Sequence, residues 1–255
     1  MEEVILIGIM FFVFGTVFGS FFNVVGYRLP NELSIVKPPS RCPNCNHRLT
    51  VIELIPIISY IIQKGKCKKC GKKIQMFYPI FEFISGLMFL LSYLVFGLTP
   101  HLVISLIFVS TLIIIIISDI KYMIIPDEVI IFSGVALFIS RLIIFGFNNI
   151  HVLVFDVTIP FIFLLLIKLL GDKIFKKESM GGGDIKLMII FGLVIGWEMA
   201  VFSIFLASFI AFPISLFAFF KENKNILPFG PYLSIAALII YFFQIDFDFI
   251  FELLV

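Results

Sequence analysis

The sequence predicts an all-α polytopic membrane protein of about eight transmembrane helices, with a cytoplasmic zinc-ribbon-like loop after the first helix. Three observations lead there. Hydrophobic residues make up 61% of the 255 residues and charged residues only 14%, whereas soluble domains are roughly 45–50% apolar. The apolar residues fall in blocks close to the ~20 residues that cross a hydrocarbon core, not at the spacing of an amphipathic helix. The net charge of +2 gives no ground for a nucleic-acid partner, but the basic residues are unevenly placed, and their placement is informative.

The first apolar block, Val4–Gly26, follows Met1-Glu2-Glu3. It lacks the basic start of a secretory signal and exceeds the usual signal core, so it is expected to stay as a transmembrane helix. Further spans are expected at Pro79–Gly97, Leu102–Ser118, Glu128–Phe147, Val152–Leu170, Ile185–Gly196, Met199–Phe220 and Tyr232–Phe249. The polar stretch from Arg28 to Tyr78 is the one sizeable extramembrane region. With that stretch in the cytoplasm, Lys121, Lys168 to Lys186, Lys221 and Lys224 lie on the same side and only Arg141 lies near an outer end. Eighteen of the 19 basic residues then obey the positive-inside rule. One span more or fewer would move several later lysines outside. Both termini come out extracytoplasmic. The expected organisation is a first helix at 1–27, a cytoplasmic zinc-binding loop at 28–78 and a seven-helix membrane domain at 79–255.

The four cysteines form two C-x-x-C pairs, Cys42/Cys45 and Cys67/Cys70, with 21 residues between them. That spacing is close to a zinc ribbon's, and Gly71 lets the chain turn away after the second pair. Disulfides or a redox pair are the alternatives, but a cytoplasmic location keeps thiols reduced. A four-thiolate site has no open position, so zinc here would fold the loop rather than do chemistry.

Two acidic clusters sit at helix ends that the topology places on one membrane face. One is Ser118-Asp119-Ile120-Lys121 with Pro126-Asp127-Glu128, the other Gly181-Gly182-Gly183-Asp184-Ile185-Lys186. Two carboxylates brought together share a proton, and such a pair can activate water while protonating a carbonyl. Plainer roles compete. Asp127 reads more readily as the N-cap of the fourth helix, Asp184 could also be a cap, and Asp119 could be an interfacial charge beside Lys121. Three glycines before Asp184 exceed what a cap requires, because they clear side chains from a place of close approach. Glu82, inside the start of the second helix, is a functional candidate as an intramembrane carboxylate, and Glu53 is another carboxylate in the loop.

Taken in order, several segments resemble the bacterial type IV prepilin peptidases, a Gly-x-Gly-Asp family of membrane aspartic peptidases. They are Gly19-Ser20-Phe21-Phe22-Asn23-Val24-Val25-Gly26-Tyr27-Arg28-Leu29-Pro30, the cysteine pairs, Pro56-Ile57-Ile58-Ser59-Tyr60, Tyr78-Pro79-Ile80-Phe81-Glu82, Asp119 through Pro126-Asp127, Gly181 through Leu187, and Pro228-Phe229-Gly230-Pro231. The resemblance implies that Asp119 and Asp184 are the catalytic pair, supported by Gly181, Gly183, Asp127 and Lys186. It implies cleavage of the basic leader of a prepilin or pseudopilin after a glycine, at the cytoplasmic face of the bacterial inner membrane. The cysteine-bearing members also resemble N-methyltransferases that use S-adenosylmethionine. Gly19, Ser20, Asn23, Glu53 and Glu82 are the candidates for holding that cofactor. Two rival readings are a proton-coupled transporter, whose paired carboxylates form a relay, and a membrane methyltransferase without proteolysis.

Overall fold

With no water in a bilayer core, a spanning segment must satisfy its own backbone polar groups, and a run of isoleucine, leucine and phenylalanine does so as a helix. The computed structural model describes residues 2–222, 227–246 and 252. Among them the helices are α1 (Glu2–Arg28), the short α2 (Ile58–Ile62), α3 (Phe77–Phe96), α4 (Pro100–Tyr122), α5 (Asp127–Phe145), α6 (Ile150–Phe175), α7 (Gly182–Glu222) and α8 (Gly230–Phe242).

Six of these are long and apolar enough to cross a membrane, and α8 is a shorter apolar helix. The count differs from eight because α7 carries two expected spans in one 41-residue element. Gly196 interrupts it at φ 76°, ψ 166°. Gly146 ends α5 in nearly the same conformation, at φ 75°, ψ 168°, and only glycine enters it without steric cost. The two arms of α7 therefore correspond to the expected Ile185–Gly196 and Met199–Phe220. At the other end, α8 is shorter than the expected Tyr232–Phe249. It stops at Phe242, and Gln244 follows with φ 50°, a left-handed residue of the kind that closes helices. Residues 247–249 of that span lie outside the described residues, as does Lys224.

The chain forms two compact units, Met1–Leu102 and Val103–Val255. In the first, α1 lies against α3 through small residues. A Cβ on Gly15 would sit 2.5 Å from the Ser85 carbonyl oxygen and 2.8 Å from the Gly86 Cα. One on Gly86 would meet the side chains of Phe12 and Thr16 at 2.8 Å. Such close backbone approach drives helix association where lipid removes the hydrophobic effect. Phe11 stacks on Tyr93 at 5.1 Å between centroids.

In the second unit α4 is the enclosed helix. Phe108, Val109, Leu112, Ile113, Ile115 and Ile117 are buried, and Phe108 meets Phe191 of α7 and Tyr241 of α8 edge-on. Phe132, Phe209 and Phe212 on α5 and α7 are exposed, as lipid-facing residues would be. Serine hydroxyls inside the helices donate back to carbonyls of the preceding turn, as at Ser133 and Ser208, so they need no external partner.

Arg141, the one basic residue outside the positive-inside pattern, has a structural partner. It lies 3.7 Å from the Asp156 carboxylate and 4.6 Å from the centroid of the Phe145 ring. The other Asp156 oxygen accepts the Trp197 N–H, just after the break at Gly196. Gly192 allows this contact, since a Cβ there would lie 2.0 Å from the Asp156 carbonyl oxygen.

The helix contacts of the first unit make a graded prediction. Gly15→Ala forces backbone apart, whereas a Cβ on Gly8 meets only the movable tip of Leu90 at 3.0 Å. Thermal melts in detergent should show Gly15→Ala destabilised by about 1–3 kcal/mol, the usual range for overpacking, and Gly8→Ala by clearly less.

Candidate active site and metal centre

Asp119 lies near the C-terminal end of α4 and Asp184 in the first turn of α7. Both side chains belong to buried residues, 6% and 8% exposed, and they lie near enough to interact electrostatically. Neither is a simple surface charge. Asp184 is the third residue of its helix, not the N-cap.

Two glycines and one isoleucine define the space around the pair. The Gly230 N–H, at the start of α8, donates to Asp119 Oδ2 at 3.0 Å. A Cβ on Gly230 would stand 2.6 Å from that oxygen and 3.3 Å from Ile125 Cδ1. On the other side, a Cβ on Gly183 would be 2.8 Å from Ile125 Cβ. Ile125 is thus the common neighbour of the glycine loop before α7 and the glycine that starts α8. Its loop is closed by Met123, at φ 54°, whose N–H bonds the Asp119 carbonyl, and by the Ser118 hydroxyl, which donates to the Ile124 carbonyl. The three glycines are not equivalent. Gly183 is the site of close approach, Gly182 faces open space, and a Cβ on Gly181 would make ordinary contact with Asp184 at 3.7 Å. Gly183 serves space, not an unusual φ.

Asp127 is not the N-cap expected from its position. Pro126 caps α5 without a side-chain hydrogen bond, because Asp127 already lies in the first turn. The Asp127 carboxylate instead accepts Lys186 Nζ at 2.6 and 2.8 Å. This pair is about half exposed, so it contributes little stability. Its effect is to tie the first residue of α5 to the fifth residue of α7.

In the loop, Cys42, Cys45, Cys67 and Cys70 bring their four sulfurs within 4.8 Å of one another. Cys42 and Cys70 are 3.9 Å apart, as are Cys45 and Cys67. A tetrahedron of thiolates at the usual Zn–S length has edges of about 3.8 Å, so the donor set fits zinc. Each pair sits in a knuckle closed by an isolated antiparallel bridge, Arg41↔Arg48 in one and Lys66↔Lys73 in the other. The Cys42 N–H bonds the His47 carbonyl, and the Cys67 N–H bonds the Lys72 carbonyl. Glu53 braces the first knuckle, with one oxygen accepting from the Thr50 N–H at 2.9 Å and its hydroxyl at 2.8 Å and lying 3.2 Å from His47 Nε2. The Thr50 donors and His47 hold the Glu53 carboxyl below its ordinary range.

The cofactor candidates differ in their surroundings. Gly19 is a packing glycine, since a Cβ there would lie 2.7 Å from Ser85 and 2.9 Å from the Glu82 Cα. Glu53 belongs to the knuckle. Asn23 and Glu82 are buried, with Ser20 within reach of Glu82. The Asn23 amide donates to the Gly19 and Tyr78 carbonyls, while its Oδ1 is buried without a partner.

The profile described as "Type IV leader peptidase family" matches residues 106–216, and "Bacterial Peptidase A24 N-terminal domain" matches residues 13–96. A Bacillus subtilis (strain 168) protein named prepilin leader peptidase/N-methyltransferase is 34% identical over 235 residues, 91% of this chain and 92% of its own length. The chain belongs to the type IV leader peptidase family. Relatives with the same name from Myxococcus xanthus (strain DK1622) and Stutzerimonas stutzeri are 33% and 29% identical. The alignments cover 76% of this chain and 57% of the first, and 88% of this chain and 86% of the second. No solved structure matches. Family membership gives the Asp119 and Asp184 geometry its chemical context, and the N-terminal-domain profile spans the cysteine knuckles.

Gly230 was not among the residues singled out for the site. Its signal was there in Pro228-Phe229-Gly230-Pro231, a helix start with proline at the first positions, but nothing local reveals that its N–H meets a carboxylate 111 residues away. Gly230→Ala should therefore displace the Asp119 carboxylate. Cleavage kinetics should show a kcat fall of about 10- to 100-fold with little change in KM, while Gly182→Ala stays near the parent rate.

Proposed function

We propose that this protein is a bifunctional prepilin leader peptidase and N-methyltransferase, with Asp119 and Asp184 as the peptidase's catalytic pair. The observation that carries the reading is that these two buried carboxylates lie near enough to influence each other, Asp119 against Gly230 and Asp184 directly after the Gly183 that packs on Ile125, in a chain of this family. One carboxylate, ionised, takes a proton from water as the water oxygen attacks the scissile carbonyl carbon. The other, protonated, donates to the carbonyl oxygen. Collapse of the tetrahedral intermediate breaks the C–N bond, and a proton passes to the leaving amine. The dyad acts as a unit. Gly230 holds Asp119 in place, Gly183 lets the glycine loop close on Ile125, and the Lys186–Asp127 pair keeps the two helix starts in register.

The lysine and arginine distribution supports placing the dyad and the cysteine loop on the cytoplasmic side of the bacterial inner membrane, with both termini outside. The substrate of this reading is a prepilin or pseudopilin whose basic leader is removed after a glycine and whose hydrophobic helix stays in the membrane. Zinc on Cys42, Cys45, Cys67 and Cys70 is structural. S-adenosylmethionine would supply an electrophilic methyl group for the new N-terminal amine. For that step the unpartnered Asn23 Oδ1 and the Glu82 carboxylate are the buried acceptors suited to an ammonium group, with Ser20 beside them. No observation favours a transporter.

Incubating purified protein with a prepilin and reading the product by mass spectrometry separates the two activities as two mass changes. Asp119→Asn and Asp184→Asn should each lower cleavage by about 10³-fold or more with little loss of folded protein, and Asp127→Asn should be milder. Near-normal cleavage by either of the first two defeats the assignment. Replacing Cys42 and Cys45 by serine should release zinc and lower methyl transfer more than hydrolysis, because metal binding folds the loop while the dyad rests on packed helices. Elemental analysis beside both assays checks this. Zinc-free parent protein contradicts the scaffold role.

A further inference from the structure

The loop between α1 and α3 contains a segment whose surface does not suit an aqueous domain. Val51, Ile52, Leu54 and Ile55, and then Ile58, Ile61 and Ile62 of α2, are all exposed, from 39% at Ile55 to 83% at Val51. Positions 58, 61 and 62 fall on one face of the short helix, at the i, i+3, i+4 spacing. Its other face is engaged, since the Tyr60 ring lies over Gly65, whose Cβ would be 2.8 Å from the Tyr60 hydroxyl.

This segment is fastened to a membrane helix. Glu82 Oε2 accepts the Ile57 N–H at 2.8 Å, and Glu82 is the sixth residue of the span that starts at Phe77. Five residues of helix rise put that anchor about 7–8 Å along α3 from its first residue. A buried intramembrane carboxylate thus draws Ile57 below the end of the span. Ile57 itself is held at φ 61°, ψ −52°, a conformation that a β-branched residue adopts only when its surroundings enforce it. Immediately after α2 come Lys64, Lys66, Lys68, Lys69, Lys72 and Lys73, all exposed and with no acidic residue among them. They are attached to α2 by the Gly65 N–H to the Tyr60 carbonyl and the Lys66 N–H to the Gln63 carbonyl.

We propose that residues 51–62 lie in the membrane interface, with Ile58, Ile61 and Ile62 inserted among lipid acyl chains and the lysines of the following knuckle against anionic headgroups. The occupant is lipid for two reasons on the same element. The anchor at Glu82 is continuous with a membrane-spanning helix, and an apolar face beside a basic one matches an anionic lipid surface. The loop is thereby a membrane-seated platform rather than a domain standing off in water. This conclusion depends on α1 and α3 crossing the membrane, not on the peptidase reading.

The test uses the full chain in nanodiscs of mixed phosphatidylcholine and phosphatidylglycerol. Trp197 is the one native tryptophan, so Trp197→Phe combined with Ile61→Trp reports on α2 alone. Val36→Trp, 74% exposed in the loop, and Phe209→Trp, 78% exposed on α7, serve as water and lipid references. Tryptophan at 61 should be quenched by a spin label carried near the headgroup end of the acyl chain, and shielded from iodide several-fold relative to position 36. Ile62→Trp repeats the measurement should the first variant fold poorly. Quenching by iodide as strong as at position 36 overturns the proposal. So does shielding that appears only on adding a hydrophobic pilin peptide, which would make the partner a substrate helix. Emission unchanged when phosphatidylglycerol is omitted overturns the anionic part. Prepilin cleavage by the same variants reads the peptidase assignment separately.

Discussion

A carboxylate persists inside a helix bundle only where the neighbouring elements leave room for it and offer it a donor. Gly230 does both for Asp119, giving a backbone N–H at 3.0 Å and no Cβ to occupy the space the oxygen fills. Much of the second unit's local geometry is arranged around that contact. The loop after α4 turns sharply at Met123 so that Ile125 can pack where Gly183 and Gly230 both lack side chains. The first turn of α7 then carries Asp184 close enough to feel the charge of Asp119. Unpaired charges buried in apolar surroundings are costly, so a site of this kind has to be built from such exclusions.

Asp156 shows the same logic away from the chemistry. Its two oxygens serve Arg141 and the Trp197 N–H, which joins α5, α6 and the break in α7. The break starts a helix whose first N–H groups have no intrahelical acceptor, and a carboxylate is well suited to satisfy one of them. Glu82 plays a comparable part in the first unit by holding Ile57. Among the described residues, Asp156 and Glu82 thus each fix a backbone N–H, a part distinct from the one proposed for the Asp119 and Asp184 pair.

How much of this was legible in the sequence follows from the range of the forces involved. Apolar runs fix helices locally, so the first seven expected spans are helical with ends shifted by a few residues, whereas the last, expected at Tyr232–Phe249, stops at Phe242. The cysteine pairs were legible because two intervening residues nearly determine a knuckle. The role of Asp127 was misjudged, since proline before an acidic residue reads as a cap and its partner Lys186 is 59 residues away. The division of α7 into two arms was legible at Gly196, where the helix is broken by a non-helical glycine between the expected Ile185–Gly196 and Met199–Phe220. The ion-pair partner of Arg141 was also hidden, since Asp156 lies on the next helix. For Asp127 and Arg141 the missing information was a contact between residues on different helices.

The claim on which the rest turns is that Asp119 and Asp184 form one catalytic unit. Single-turnover cleavage of a prepilin by the Asp119→Asn/Asp184→Asn double variant, set beside the two single variants, tests it most directly. Members of one unit are not additive, so the double variant should be no slower than the slower single variant. Losses that multiply, or a single variant that keeps the parent rate, would contradict a shared dyad.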